Sequence, residues 1–294
     1  MQTHSIAIME RLHKPGWLKI KLPTGTVYSQ VKKIVEGHHL HTICASGRCP
    51  NMGECWGAGT ATFLILGEIC TRSCKFCATL SGKPLAPDAE EPAKVAESVR
   101  LIGLQHVVIT SVDRDDLADG GAAHWAATIR EIKRVNPATT LEVLIPDFDG
   151  RPELIALIAA EKPDIISHNM ETIERLTPHV RSRAKYRTSL RVIRIIGSLG
   201  VVSKSGIMVG LGETAGEVLQ CMDDLRAKGC EILTIGQYLQ PTKKHLEVAE
   251  YLHPDQFEVF RKEGLARGFR IVESAPLVRS SYHAEKHVTE KELL

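Results

Sequence analysis

The chain has 294 residues, with 37 Lys and Arg against 35 Asp and Glu and a formal net charge of +2. That balance is too mild for a nucleic-acid binder, while 43% hydrophobic and 24% charged residues suit a soluble protein with a large core. The apolar runs are too short to span a bilayer, and the N-terminal stretch has neither an apolar signal core nor an Arg/Ser-rich amphipathic pattern. A mature protein of the reducing cytoplasm, with no membrane or nucleic-acid partner, is therefore expected.

Residues 1–60 are rich in Gly, His and Cys with little periodicity, so their order is expected to depend on a metal site. Beyond them the chain alternates strand-like and helical patterns. Strands are predicted at Ala61–Leu66, His106–Ser111, Leu141–Ile145, Asp164–His168, Ser203–Val209 and Glu231–Gly236. Continuous runs such as Val107-Val108-Ile109 point to strands covered on both faces. Between them, Val95, Val99 and Ile102 share a helical face after a Pro92 start, and Trp125, Ile129, Ile132 and Val135 share another. Pro152 opens a third helix with Leu154, Leu157 and Ile158 inward; Val218, Met222 and Leu225 mark a fourth. Six βα units in series imply parallel strands with right-handed crossovers, either an open sheet or a partial barrel. A strand-like Phe269–Val272 follows, and then a charged tail. The expected division is an N-terminal extension over 1–60, a core over 61–268 and a C-terminal extension over 269–294.

Six of the eight cysteines fall between Cys44 and Cys77, in two unlike triplets. Cys70, Cys74 and Cys77 read C-x3-C-x2-C; Cys44, Cys49 and Cys55 read C-x4-C-x5-C. Each triplet is one thiolate short of the four that hold an ordinary iron–sulfur cluster, which leaves one iron open to another ligand. Structural zinc usually takes four ligands in paired C-x2-4-C spacing, so iron–sulfur is the preferred reading. Disulfides suit a smaller secreted scaffold. The Cys70 triplet directly follows the first predicted strand, where βα barrels keep their active sites.

With Phe76 before its last cysteine, Cys70-Thr-Arg-Ser-Cys74-Lys-Phe-Cys77 resembles the radical S-adenosylmethionine superfamily. In that superfamily the open iron chelates the amino and carboxylate groups of the methionine moiety. Ser46-Gly-Arg-Cys49-Pro-Asn-Met-Gly-Glu-Cys55-Trp narrows the resemblance to the lipoyl synthase family. So do Thr110-Ser-Val-Asp-Arg-Asp-Asp116, Leu141-Glu-Val-Leu-Ile-Pro146, Leu233-Thr-Ile-Gly-Gln-Tyr-Leu-Gln-Pro241 and the closing Val278-Arg-Ser-Ser-Tyr-His-Ala284. The likeness runs from Lys14-Pro-Gly-Trp-Leu-Lys19 to Ala284.

The resemblance implies a partial (βα)6 TIM-like barrel with N- and C-terminal extensions. It implies two [4Fe-4S] clusters and S-adenosyl-L-methionine, and insertion of sulfur at carbons six and eight of a protein-bound octanoyl chain. Cys70, Cys74 and Cys77 would hold one cluster. Cys44, Cys49, Cys55 and the second serine of R-S-S-Y, Ser281, would hold an auxiliary cluster that gives up its own sulfur. An alkoxide is a harder, weaker ligand for iron than a thiolate and can leave. Expected partners are an octanoylated lipoyl-carrier protein or domain and an electron donor such as ferredoxin or flavodoxin, with the chain a monomer.

Cofactor contacts are assigned to Thr110, Ser111 and Asp113 after the second strand, to Glu142 and Asn169 at the third and fourth, and to Gly210, Gly212 and Glu213. Each of these side chains would otherwise read as a loop cap or turn group. Gly210-Leu-Gly-Glu-Thr-Ala215 also satisfies G-x-G-x-x-A between a strand and a helix, so a nicotinamide-dependent oxidoreductase is the chief competitor. Against it, Glu231 begins the next strand rather than ending it. A non-enzymatic iron–sulfur carrier is another alternative. The basic run Arg181, Arg183, Lys185, Arg187, Arg191 and Arg194 is either a solvated helix face, a guide for an acidic carrier, or a cofactor-carboxylate site. Cys221 and Cys230 are expected as buried small hydrophobes, and His38, His39 and His41 receive no ligand role.

Overall fold

The computed structural model describes residues 13–19, 26–37, 40–46, 49–57 and 61–289. His38, His39 and the last residues of the charged tail lie outside them.

The strands are β1 (His41–Thr42), β2 (Thr62–Ile65), β3 (Ile69–Cys70), β4 (Leu80–Ser81), β5 (His106–Ser111), β6 (Thr140–Leu144), β7 (Ile165–Ser167), β8 (Val202–Val209), β9 (Ile232–Gln237) and β10 (Ile271–Ser274). Eight join one sheet in the order β1-β2-β5-β6-β7-β8-β9-β10, and β3 pairs with β4 alone. All main-sheet neighbours from β2 to β10 are parallel; β1 runs antiparallel along β2. β1 and β10 form the two edges of the sheet, so the barrel is partial and open. All six expected strands form close to their expected limits. A seventh parallel strand, β10, extends the set beside β9; it starts at Ile271, a little later than the apolar run at Phe269 suggested.

Apolar runs become strands here because helices cover their outer face and the lumen their inner one. Val107, Ile109, Leu141 and Val143 are fully buried. The covering helices are Glu91–Ile102, Ala122–Val135, Pro152–Ala159, Tyr186–Ser198, Ala215–Arg226 and Pro254–Ala266. Proline starts the first, third and last of these, where a missing N–H costs nothing. One inward assignment was wrong. In the helix from Pro152, Ile155 is fully buried with Leu154 and Ile158, whereas Leu157 is exposed. The 154/155/158 stripe is the one the helical period places on a single face.

Alternation along the strands sorts the lumen into layers. Leu64, Thr110, Leu144, Met208, Thr234 and Gly236 line a central cavity of about 500 Å³. Two residues upstream of Leu64, Leu144 and the cavity-lining Gly206, on the same faces, Thr62, Glu142 and Lys204 lie one layer deeper. Deeper still, Ile165, Val202, Ile232 and Ile271 form a small apolar floor against which Val288 packs. The short helix Lys286–Thr289 thus closes the bottom of the barrel, and His287 Nδ1 reaches Lys204 Nζ at 3.2 Å.

Candidate active site

The Cys70–Cys77 loop sits over the C-terminal end of β2. Its ends are pinned by the β3–β4 pairing and by Gly82 N–H donating to the Cys70 carbonyl at 2.9 Å. Arg72, between the first two cysteines, ties the loop to the barrel. It donates to both oxygens of Asp115 at 2.8 and 2.9 Å and to both of Asp147 at 2.8 and 2.9 Å. Burial works against this guanidinium, but the carboxylates outweigh it and raise its pKa; in return the guanidinium holds Asp147 down at about 2 despite burial. Bidentate pairs of this kind fix geometry as well as charge. Asp113 is the odd member. Burial pushes its carboxyl up to about 6 against the pull of Arg72, while its backbone N–H donates to Cys70 Sγ at 3.3 Å.

The second triplet lies at the other end of β2. Burial, with repulsion from Cys49, pushes the Cys44 thiol up to about 11, and Thr62 is among its hydrogen-bond partners. Cys55 rises to about 12 through burial and then repulsion from Cys49 and Cys44. The three thiols therefore share one electrostatic neighbourhood. Ser281 joins it: its Oγ accepts from Thr62 Oγ1 at 3.0 Å. Two further contacts zip the C-terminal segment to the cysteine loop, Asn51 Nδ2 to the Leu277 carbonyl at 2.7 Å and Tyr282 OH to Glu54 Oε1 at 3.2 Å.

Each triplet offers three free thiols to a metal. All eight cysteines are free, which removes the disulfide reading. Among the described residues no group of three or more His, Cys, Asp or Glu side chains is arranged to hold a metal ion. Burial holds Cys70 up at about 12 and raises Cys77 as well, so a metal bound there would have to displace their protons. The ends of β2 are roughly 10 Å apart at the usual strand rise. The cavity fills the space between, lined by Cys70, Cys74 and Cys77 above and reached from the other triplet by Ile43, Pro50 and Ser280.

Of the residues expected to contact the cofactor, Thr110, Ser111, Asp113 and Asn169 line this cavity. The other four expected contacts do not. Glu142 is one pleat too deep; fully buried, it is neutralised by Lys204 at 2.8 Å and accepts from Ser167 Oγ at 2.9 Å. Gly210, Gly212 and Glu213 belong to a loop in which the Gly210 and Leu211 amides are already taken. The Glu213 carboxylate accepts from the N–H groups of Gly210 and Leu211. Thr214 and Glu217 cap the following helix reciprocally, and a Cβ at Gly210 would run into Gln237 and the Glu250 carbonyl. The Gly210 and Leu211 amides are therefore not offered to a dinucleotide phosphate. The oxidoreductase alternative fails on this geometry.

The basic run divides. Arg181 turns into the cavity wall, its Nη1 donating to Ser189 Oγ at 2.9 Å, and Val180 and Ser182 bind the backbone of the cysteine loop. Arg183 and Arg187 are exposed and pair with Asp149 and Glu174. Cys221 and Cys230 are buried, as expected, with burial holding both thiols at about 12. His41 lies 3.7 Å from Glu68. Sequence reasoning missed Arg72, Asp115, Asp147 and Arg279. The visible signal was an arginine inside the cysteine motif and a run of acids after the second strand, opposite charges that the fold brings together.

Two family models match the chain: the Radical SAM superfamily over residues 64–225 and the N-terminal domain of lipoyl synthase of the Radical SAM family over residues 3–49. Lipoyl synthase of Phocaeicola vulgatus is 66% identical over 280 residues, covering 95% of this chain and 99% of the relative. The chain belongs to the lipoyl synthase family. Lipoyl synthase of Treponema denticola is 58% identical over 275 residues, covering 94% of this chain and 95% of that one. Among solved structures, methylornithine synthase superposes with a TM-score of 0.55 at 12% identity, over 84% of this chain and 76% of that chain. The hydrogenase maturase HydG from Carboxydothermus hydrogenoformans gives 0.54 at 14% identity, over 90% and 78%. Those distant structures share the fold. As a lipoyl synthase family member, the chain is a sulfur-inserting radical S-adenosylmethionine enzyme, whose chemistry uses a [4Fe-4S] cluster and S-adenosylmethionine. Among the described residues no helix is long and apolar enough to cross a membrane.

Proposed function

We propose that this enzyme holds two four-iron clusters and inserts sulfur, taken from the second, at carbons six and eight of an octanoyl chain carried on a lipoyl-carrier protein or domain. The observation that carries the reading is the placement of two thiol triplets at opposite ends of β2, with a single cavity between them. Cys70, Cys74 and Cys77 would hold the first cluster, and Cys44, Cys49, Cys55 and Ser281 the second. When bound, the clusters and S-adenosylmethionine supply the electron, the hydrogen-abstracting radical and the sulfur.

The chain's own residues supply position and shelter. Thr110, Ser111, Asp113 and Asn169 face the space beneath the first triplet, where the methionine end of the cofactor would lie. Leu64, Leu144 and Ile145 give the cavity an apolar wall for an alkyl chain and exclude water. Arg72 locks the cysteine loop to Asp115 and Asp147, so the upper group keeps its distance from the lower one. An electron donor such as ferredoxin or flavodoxin and action as a monomer complete the proposal. The test is anaerobic reconstitution followed by iron and sulfide assay, with 5′-deoxyadenosine and lipoyl product followed on an octanoylated carrier domain. About eight irons per chain together with both products would support it. Four irons, or 5′-deoxyadenosine without sulfur insertion, would overturn it.

A further inference from the structure

Arg279 stands in an unusual place for an arginine. The residues around it are anchored, Leu277 by Asn51 and Ser281 by Thr62, so the segment between them lies against the cysteine loop and β2. On its other side Gly236 makes room. A Cβ there would run into the Val278 carbonyl and lie 3.1 Å from Arg279 Nη1. The guanidinium is thereby set into the cavity wall between β9 and the loop that carries Cys49. Among the described residues it has no carboxylate partner, and its hydrogen bond goes to the Val278 carbonyl at 2.6 Å. Its ionisable neighbour in the cysteine loop is Cys49. The other arginines of the cavity are engaged: Arg72 with three aspartates, Arg181 with Ser189 and two carbonyls.

A half-buried cation without an anion is costly, and so is a half-buried cluster whose four anionic ligands exceed the charge of its iron–sulfide core. Each removes the other's cost. We infer that Arg279 is the counter-cation of the cluster held by Cys44, Cys49, Cys55 and Ser281, and that it sets that cluster's reduction potential. The inference rests on the two-cluster reading above. Net charge and hydrogen bonding around the sulfurs are among the main levers on such potentials. A cation beside the cluster favours the reduced, more negative state.

The experiment uses the Cys70→Ala/Cys74→Ala/Cys77→Ala chain, which retains only the second cluster. After anaerobic reconstitution it is titrated with dithionite and redox mediators and read by electron paramagnetic resonance, with iron counted in parallel. Arg279→Gln is expected to shift the midpoint to a more negative potential, and Arg279→Lys to leave it near that of the parent. Should Arg279→Gln fail to load iron while Arg279→Lys loads with the parent midpoint, the requirement for charge is equally supported. A fully loaded Arg279→Gln protein with an unmoved midpoint overturns the inference. So does failure of both variants to load, which would assign the residue's role to shape instead. If the triple-alanine parent itself holds no cluster, the two-cluster reading falls first, a result distinct from either of these.

Discussion

Thr62 Oγ1 donates to Ser281 Oγ at 3.0 Å, joining the first residue of the barrel's first parallel strand to a residue near the far end of the chain. Thr62 also hydrogen-bonds the Cys44 thiol. One threonine thus bridges the proposed fourth ligand and the thiol triplet, and it lies on the lumen face beneath Leu64. The serine is delivered by the fold rather than by sequence proximity.

Ser281 is accordingly expected to matter for sulfur transfer and not for radical generation. Ser281→Ala would open one iron to water. Ser281→Cys would replace a displaceable alkoxide with a tightly held thiolate and slow dismantling of the cluster. In anaerobic single turnover both variants should form 5′-deoxyadenosine while lipoyl product falls at least tenfold, a loss of about 1.4 kcal/mol or more in the productive step. Product at the wild-type level in both would remove Ser281 from the site.

The two triplets should also be separable. Because they sit at opposite ends of β2, Cys70→Ala/Cys74→Ala/Cys77→Ala should abolish reductive cleavage of S-adenosylmethionine and keep about four irons per chain. The mirror variant, with Cys44, Cys49 and Cys55 changed to alanine, should cleave the cofactor and make no lipoyl product. Retained cleavage in the first variant would reverse the two roles.

Much of this architecture is visible in the pattern of residues, and what is hidden has a physical cause. Continuous apolar runs such as Val107–Ile109 mark strands because burial on both faces demands them, and the cysteine spacings mark the two thiol groups. Depth is another matter. Glu142 and Leu144 look equally placed on one strand, yet a single pleat separates a cavity wall from a buried ion pair with Lys204. Chain pattern also does not reveal which charges meet. Arg72 and Asp147 are far apart in sequence and join only when β6 is laid beside β5. The Gly210–Ala215 loop shows the converse. Its glycines match a phosphate-binding pattern, but Glu213 fills the amides a phosphate would use.

Asp147 carries a pH signature. Its folded pKa, about 2, lies below the ordinary aspartate value of about 3.9 because Arg72 holds it ionised. A depressed carboxyl contributes stability that is complete above the unfolded pKa and is lost as pH falls through the folded one. Asp147→Asn should therefore destabilise the cluster-free protein at neutral pH and flatten its loss of stability between about pH 4 and 2. Urea midpoints measured down that range decide it. An unchanged acid slope would mean Asp147 is not the group held by Arg72 in solution.

The buried pair at the bottom of the lumen offers the sharpest test of layering. Lys204 Nζ and Glu142 Oε2 meet at 2.8 Å with both side chains 1% exposed, and His287 Nδ1 lies 3.2 Å from the same ammonium. Removing one partner leaves the other charged and enclosed, a loss of roughly 3–5 kcal/mol. Lys204→Met should cost about that much in urea unfolding, and Glu142→Gln a similar amount. The double variant should lose less than the two singles together, since neither uncompensated charge remains. Because Glu142 sits beneath the cavity, S-adenosylmethionine affinity of folded Glu142→Gln should stay within about twofold of wild type, or roughly 0.4 kcal/mol. A tenfold weaker affinity in protein that is fully folded would lift Glu142 back into the cofactor site and overturn the assignment of lumen layers.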